Sequence, residues 1–145
     1  MRVTVDYRLS ETDKARGRSQ LLRADASVAE VDGLVLEAQF ELPDGTGLVW
    51  LADDSPYDEG LHVYLLSPDG RILDALESTG VFSPGVLKVQ ATGETWVAFT
   101  FYLSDPVQRL EIAATAGWRR LPGGWRYKKL GRHRLSLHAQ QEGAR

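Results

Sequence analysis

The 145-residue chain contains no cysteine and no asparagine, and it has a single methionine. Without cysteine there is no disulfide, no thiolate metal site and no cysteine nucleophile, as is typical of a reducing compartment. The N-terminus does not resemble a signal peptide, and no apolar run approaches the roughly 18 residues that a membrane-spanning helix needs. We therefore expect a cytoplasmic protein with no membrane partner and no cofactor.

The sequence also lacks the short motifs of the common enzyme classes. There is no G-x-S-x-G elbow, P-loop, dinucleotide-binding glycine fingerprint or H-E-x-x-H zinc motif. Of the three histidines, His133 and His138 would point to opposite faces of one strand, and His62 is remote in sequence from both. No catalytic residue is predicted. The leading hypothesis is a non-catalytic binding module for a protein partner or a small ligand.

Alternating polar and apolar residues predict a mainly β fold. The longest alternation runs over residues 34–42, and similar patterns cover 2–8, 61–67, 95–103 and 132–139. A strand gathers such apolar residues on one face, whereas a helix would scatter them around its circumference. The predicted strand over residues 2–8 would bury Val3 and Val5.

The spacing of the turn signals predicts how the strands are organised. They recur about every 9–18 residues, which is typical of an antiparallel sandwich or barrel. We predict about 8–10 antiparallel strands with at most one or two short helices. Residues 1–139 would form a single domain, and residues 140–145 would fray.

Two Pro-Asp-Gly segments, residues 43–45 and 68–70, predict tight turns between consecutive strands. Proline presets φ for the first central position of such a turn, and glycine accepts a positive φ. Between them, residues 61–67 are apolar on both faces, which favours a central strand covered on both sides. The next strand, over 71–77, carries the inward-facing Asp74 and is therefore predicted as an edge strand.

Two segments fit both helix and strand patterns. Residues 20–31 are predicted as a strand that ends at an Asp32-Gly33 hairpin turn. Residues 106–116 begin at Pro106, directly after a capping Asp105, and are followed by Gly117, which favours a helix. The alternation of apolar residues inside that second segment also allows a strand. The polar segment 10–19 predicts a loop.

The acidic loop over residues 53–60 is the first candidate site. Its four carboxylates could supply the oxygen ligands of calcium or act as the acid and base of a glycosidase, and flanking aromatic rings could stack a sugar. A solvated loop without a ligand is the alternative. The predicted ligand-binding residues are Trp50, Asp53, Asp54, Tyr57, Asp58, Glu59 and Tyr64. If the ligand is calcium, the residues that bind it are Asp53, Asp54, Asp58 and Glu59.

Charge is distributed unevenly along the chain. Residues 1–107 contain 8 Lys/Arg against 18 Asp/Glu, whereas residues 108–145 contain 9 against 2. The basic end is expected to cross back onto the acidic part and neutralise it, and the alternative is an anionic partner. The complementary charges also make self-association a hypothesis.

Segment 118–134 is the second candidate site, predicted as a hairpin that interleaves aromatic and basic residues. Single-stranded nucleic acid binders combine these features if the rings face outward, whereas inward rings would indicate a structural strand pair. The net charge of −3 argues against nucleic acid. The predicted contact residues are Trp118, Arg120, Trp125, Arg126, Tyr127, Lys128, Lys129, Arg132 and Arg134.

Overall fold

The structure is a computed structural model that describes residues 1–54, 60–78, 85–102 and 106–140. Within these ranges the chain forms strands and turns only. The strands are β1 Arg2–Val3, β2 Tyr7–Asp13, β3 Arg18–Arg23, β4 Ala26–Asp32, β5 Val35–Glu41, β6 Gly47–Ala52, β7 Leu61–Leu66, β8 Ile72–Ser78, β9 Gly85–Thr92, β10 Trp96–Tyr102, β11 Gln108–Gly117, β12 Trp125–Tyr127 and β13 His133–Ala139. No described segment forms a helix long and apolar enough to cross a membrane.

The strands assemble into three antiparallel sheets. A six-stranded sheet has the order β1-β5-β6-β7-β8-β12, a four-stranded sheet the order β13-β11-β10-β9, and a three-stranded sheet the order β2-β3-β4. The six-stranded sheet is the middle layer, because its residues contribute to two separate apolar clusters. The predicted antiparallel β-sandwich is confirmed, and the described strands do not close into a barrel.

The larger apolar cluster lies between the six-stranded and four-stranded sheets. Trp50 of β6 and Phe99 of β10 meet there edge to face, with ring centroids 4.9 Å apart. Both side chains are fully buried. Burying such a side chain contributes about 1.5–3 kcal/mol, so this layer supplies much of the stability of the fold.

The smaller cluster lies between the six-stranded and three-stranded sheets. Leu51 and Tyr64 of the middle sheet pack there against Leu21 and Val31 of the outer sheet. Every residue of β6 and β7 is buried, because these strands are covered on both faces. The prediction that 61–67 is a central strand is confirmed.

Both Pro-Asp-Gly turns form as predicted. They connect β5 to β6 and β7 to β8, which are antiparallel pairs. The N–H of Gly45 donates to the carbonyl of Leu42 at 3.0 Å, and the N–H of Gly70 donates to that of Ser67 at 2.9 Å. The two glycines have φ values of +87° and +92°, which explains why the turns require them.

The helix prediction for residues 106–116 was wrong, and the alternative strand is observed. This segment forms β11, which pairs with β10 on one side and with β13 on the other. The pairing buries Leu110 and Ile112 in the larger cluster. Packing between neighbouring strands therefore overrides the local signals for a helix start and end.

The predictions for the N-terminal third also need correction. The predicted loop over 10–19 is largely strand, because β2 extends to Asp13 and β3 begins at Arg18. Residues 20–31 contain a hairpin turn at Ala24 and Asp25, where both φ values are positive. Asp32-Gly33 is not a hairpin turn, since the chain crosses there from the three-stranded to the six-stranded sheet.

The predicted first strand, 2–8, is interrupted between β1 and β2. The chain leaves the six-stranded sheet after Val3 and joins the three-stranded sheet at Tyr7. Val3 and Val5 are consequently 73% and 87% exposed, contrary to the prediction, whereas Thr4 is buried. The change of sheet breaks the alternation that a continuous strand would have kept.

Strand β8 is not an edge strand, because β12 pairs with its C-terminal part. Asp74 is fully buried and accepts hydrogen bonds from the backbone N–H groups of Arg134 and Leu135, each at 2.9 Å. Nδ1 of His133 lies 2.9 Å from the same carboxylate. Asp74 therefore connects the middle sheet to β13 of the four-stranded sheet.

Candidate functional site

Ionisable side chains from distant parts of the sequence meet at one end of the six-stranded sheet. We call this group the rim cluster, which consists of Asp32, Asp53, His62, Glu77 and Lys128. His62 of β7 and Glu77 of β8 are direct cross-strand partners. Asp53 follows β6, Asp32 ends β4 of the outer sheet, and Lys128 follows β12. The six-stranded sheet thus contributes four members of the cluster, and the three-stranded sheet contributes Asp32.

The ammonium of Lys128 lies at the centre of the rim cluster. Its Nζ is 2.6 Å from Oδ2 of Asp32 and 3.1 Å from Oε1 of Glu77. The exposed Arg126 adds a second cation, with Nε 2.8 Å from Oε2 of Glu77. Only 12% of the Lys128 side chain is exposed, so its attraction to both carboxylates is weakly screened by solvent.

The imidazole of His62 lies between the carboxylates of Asp53 and Glu77. Its Nε2 is 2.6 Å from Oδ1 of Asp53. Its Nδ1 is 3.5 Å from Oε1 of Glu77 and has no hydrogen-bond partner, although only 8% of the side chain is exposed. A buried ring nitrogen without a partner is costly, so this atom is the unusual feature of the cluster.

The protonation equilibria of the rim cluster follow from burial and from Lys128. Burial alone would raise the pKa of Asp32 and of Glu77, but hydrogen bonds and cation charges outweigh it and lower both pKa values. Burial alone would lower the pKa of Lys128, yet its hydrogen bond to Asp32 and the nearby negative groups raise it. Burial raises the pKa of Tyr64, whose hydroxyl accepts a hydrogen bond from the N–H of Asp32 at 2.9 Å.

The structure brings only part of the first predicted site together. Trp50 faces the larger cluster and Tyr64 faces the smaller one, so the two rings lie on opposite faces of the six-stranded sheet. Both are buried and cannot form one sugar-stacking platform. Asp54 is exposed, with a φ of +58°. The predicted residues Tyr57, Asp58 and Glu59 lie outside the described residues.

Two of the three aromatic residues of the second predicted site, Trp125 and Tyr127, face inward, whereas Trp118 is 81% exposed. Trp125 meets Phe99 edge to face at 6.2 Å between centroids. Tyr127 stacks on His133 at 3.4 Å and donates its hydroxyl hydrogen to the carbonyl of Leu135 at 2.6 Å. Burial raises the pKa of Tyr127 to about 12. Residues 118–134 do not form the predicted hairpin, because β12 pairs with β8 instead.

Several basic residues of that site neutralise acids of the first 107 residues, as expected from the charge distribution. Lys128 and Arg126 both contact Glu77 of the rim cluster, and Nη2 of Arg134 is 3.8 Å from Oδ2 of Asp44. Arg132 donates instead to the carbonyl of Ala116. The exposed members of the predicted site are Trp118, Arg120, Arg126, Lys129 and Arg132. Trp118 is the one exposed ring among them, so the described residues do not form the predicted platform of several outward rings interleaved with cations.

A groove of about 420 Å³ lies between the edges of the two larger sheets. We call it the edge groove; its lining consists of Val3, residues 37–40 of β5 and residues 89–92 of β9. Val3 and Val89 are 73% and 39% exposed. Sequence reasoning missed this groove because it forms between strands that are about 50 residues apart and belong to different sheets.

Sequence reasoning also missed Asp32, His62 and Glu77 as a group. No spacing signal relates them, since each comes from a different strand and two different sheets hold them. No protein-family model, curated protein or solved structure matches this chain. The hypotheses about function therefore depend on the geometry of the edge groove and the rim cluster.

Proposed function

We propose that this domain is a non-catalytic binding module that receives an extended segment of a protein partner along β9, with side chains in the edge groove. The observation that carries this proposal is the free edge of β9. Within the described residues this eight-residue strand pairs with β10 alone. Its outer N–H and C=O groups are therefore available to one additional strand, which is a recurrent mode of peptide recognition.

The side chains of β9 leave this edge accessible. Proteins usually protect a free edge with charges, proline or very short strands. β9 carries one charged residue, Lys88, and its pairing with β10 shifts register in two places. Such shifts twist the strand, which limits the open-ended pairing of many flat strands at this edge.

The edge groove supplies apolar contacts for such a segment. Val3 and Val89 border the groove and are exposed, and Val86 on the same strand is 63% exposed. An added strand presents alternate side chains to one face, so every second residue of the segment would cover Val3 and Val89. No described part of the chain packs over these exposed valines, which supports a ligand with an apolar face.

The charges beside the groove specify the partner further. Glu37 lines it, and the exposed Glu94 follows the end of β9. A segment with apolar residues at alternate positions and Lys or Arg at its ends would complement both features. Complementary charges of this kind increase the association rate and set the register of binding.

Selection of linear peptides displayed on phage against the immobilised protein tests the proposal. We expect extended sequences with alternating apolar residues and flanking basic residues. Val89→Lys should weaken the selected peptide at least about tenfold, whereas Val35→Lys, at an exposed valine of β5 outside the groove, should leave its affinity unchanged. Amide hydrogen exchange along β9 should slow when the peptide binds.

Peptides that bind equally well to the Val89→Lys variant would refute this site. Light scattering provides a second experiment, which measures whether the protein self-associates, as the charge distribution led us to consider. A dimer that dissociates on Val89→Lys would identify a second copy of this chain as the occupant of the β9 edge.

A further inference from the structure

The rim cluster contains three potential metal ligands at one point. Asp32, His62 and Glu77 each offer one ligand atom, and these atoms lie within 4.8 Å of one another. Nδ1 is the nitrogen of His62 that faces Glu77, at 3.5 Å from Oε1. Ligands of a tetrahedral zinc ion, at about 2.0–2.2 Å from the metal, are separated by about 3.4 Å. Small side-chain rotations, without a change of strand positions, would bring the three atoms to that separation.

The orientation of His62 is the independent observation that points to a cation. Its Nε2 is hydrogen-bonded to Asp53 at 2.6 Å, which places a ring hydrogen on Nε2. In the neutral imidazole the lone pair is then on Nδ1. That lone pair faces Oε1 of Glu77 at 3.5 Å without a hydrogen bond. Two acceptors that face each other in a buried place are satisfied by a positive ion between them. A carboxylate behind the distal ring nitrogen is also the usual support of a metal-binding histidine.

Lys128 shows that a positive charge is stable at this point. Its ammonium contacts Asp32 and Glu77 but leaves Nδ1 of His62 without a partner. A metal ion could accept electron pairs from all three ligands, whereas an ammonium has only hydrogens to donate. The lysine stem is flexible and begins just beyond β12, so the ammonium can move to solvent without disturbing a strand.

We propose that Asp32, His62 and Glu77 form a binding site for a divalent transition metal ion such as Zn²⁺, with Lys128 as an internal cation that competes for it. One imidazole and two carboxylates leave a coordination position for water or a ligand. Asp53 is a positioning residue that orients His62. The hard ion Ca²⁺ is disfavoured, because it requires six to eight oxygen ligands.

The test uses the tag-free full chain, stripped of metal, and titrates it with Co²⁺ while the visible absorption of the cobalt is recorded. Zn²⁺ is then added as a competitor to obtain its affinity. Lys128→Met should raise the affinity for both ions at least about tenfold, because it removes the competing cation. Arg126→Met is the matched control: it removes the other cation on Glu77, which is 67% exposed, and should change the affinity by less than about twofold.

Ligand variants are made in the Lys128→Met background. His62→Gln should abolish the intense absorption of tetrahedral cobalt, and Asp53→Asn should weaken binding by about 10–100-fold while the absorption band remains. Near-ultraviolet circular dichroism of each variant confirms that the fold is intact, and Asp53→Asn keeps the test valid if His62→Gln fails to fold. Equal affinities for Co²⁺ with and without Lys128, or binding that survives His62→Gln, would overturn the proposal. So would ¹⁵N shifts that show hydrogens on both ring nitrogens of His62 in the presence of excess Zn²⁺.

Discussion

At the scale of single residues, the inward-facing side chains of the tail decide what this region can do. Tyr127 stacks on His133, and its hydroxyl reaches the carbonyl of Leu135. His133 is in turn fixed by the buried carboxylate of Asp74. These contacts place an aromatic ring that resembled a nucleic acid contact in sequence within the interface between β12 and β13. Its function there is to connect the two larger sheets.

The burial of Tyr127 predicts a loss of stability at alkaline pH. Burial, followed by the charge of Asp74, raises the pKa of Tyr127 from its ordinary value of 10.0 to about 12. The unfolded chain therefore ionises this phenol first, so its contribution to stability is complete below pH 10 and is lost as the pH rises towards 12.

Urea unfolding of the native chain and of Tyr127→Phe checks this prediction. At neutral pH the variant should be less stable by about 1 kcal/mol, because the carbonyl of Leu135 loses a hydrogen bond. The difference between the two proteins should shrink as the pH rises above 10, since only the native chain carries the ionisable phenol. A difference that stays constant as the pH rises from 10.0 towards about 12 would show that Tyr127 is not responsible for the loss of stability.

At the scale of strands and turns, the crossing between β4 and β5 has the strictest requirement. Gly33 has a φ of +114°, which residues other than glycine rarely adopt. A Cβ atom at this position would lie 2.6 Å from Cβ of Leu51, which is fully buried in the middle sheet. The backbone of the crossing therefore packs directly on β6.

Substitution of Gly33 by alanine should lower the stability of the fold, because of the positive φ and because of the contact with Leu51. We expect Gly33→Ala to lower the free energy of unfolding by about 2–4 kcal/mol, from the left-handed backbone and from overpacking against Leu51. Gly17→Ala is the matched control: its φ is +67° but a Cβ would meet no atom within 4 Å, so it should cost only about 1 kcal/mol. Equal losses in thermal or urea unfolding would indicate that the contact with Leu51 is relieved by a backbone shift.

At the scale of the whole molecule, the shared middle sheet determines how the layers unfold. In β6, Leu48 and Trp50 face the larger cluster, and Val49 and Leu51 face the smaller one. Neither apolar cluster can therefore be lost without exposing one face of this sheet. Chains of this size usually unfold in one cooperative step. The three layers should therefore behave as one unit.

The variant Leu21→Ala tests this cooperativity. Leu21 is fully buried in the smaller cluster, and its truncation should cost about 2–5 kcal/mol. None of the four tryptophans belongs to that cluster, so their fluorescence reports on the rest of the molecule. In urea, the fluorescence and far-ultraviolet circular dichroism midpoints should move together to lower concentration. A circular dichroism transition that moves alone would show that the three-stranded sheet unfolds separately.

The sequence by itself determined the class of the fold and its local turns. Residues 34–42 and 61–67 predicted strands, and the two Pro-Asp-Gly segments predicted turns, because alternation and turn chemistry depend on neighbouring residues alone. The neutralisation of acidic residues in the first 107 positions by basic residues of the C-terminal segment was also predictable, since it follows from the distribution of charge along the chain. These features do not depend on which strands become neighbours.

Only the tertiary structure decided which sheets form and which side chains meet. Residues 106–116 satisfy the local signals of a helix, yet pairing with β10 and β13 makes them a strand. Lys128 and Asp32 are 96 residues apart and meet only because β12 and β4 end at the same rim of the middle sheet. The edge groove and the rim cluster are products of such long-range pairing. Their energies depend on burial and on partners from other sheets, which no local pattern encodes.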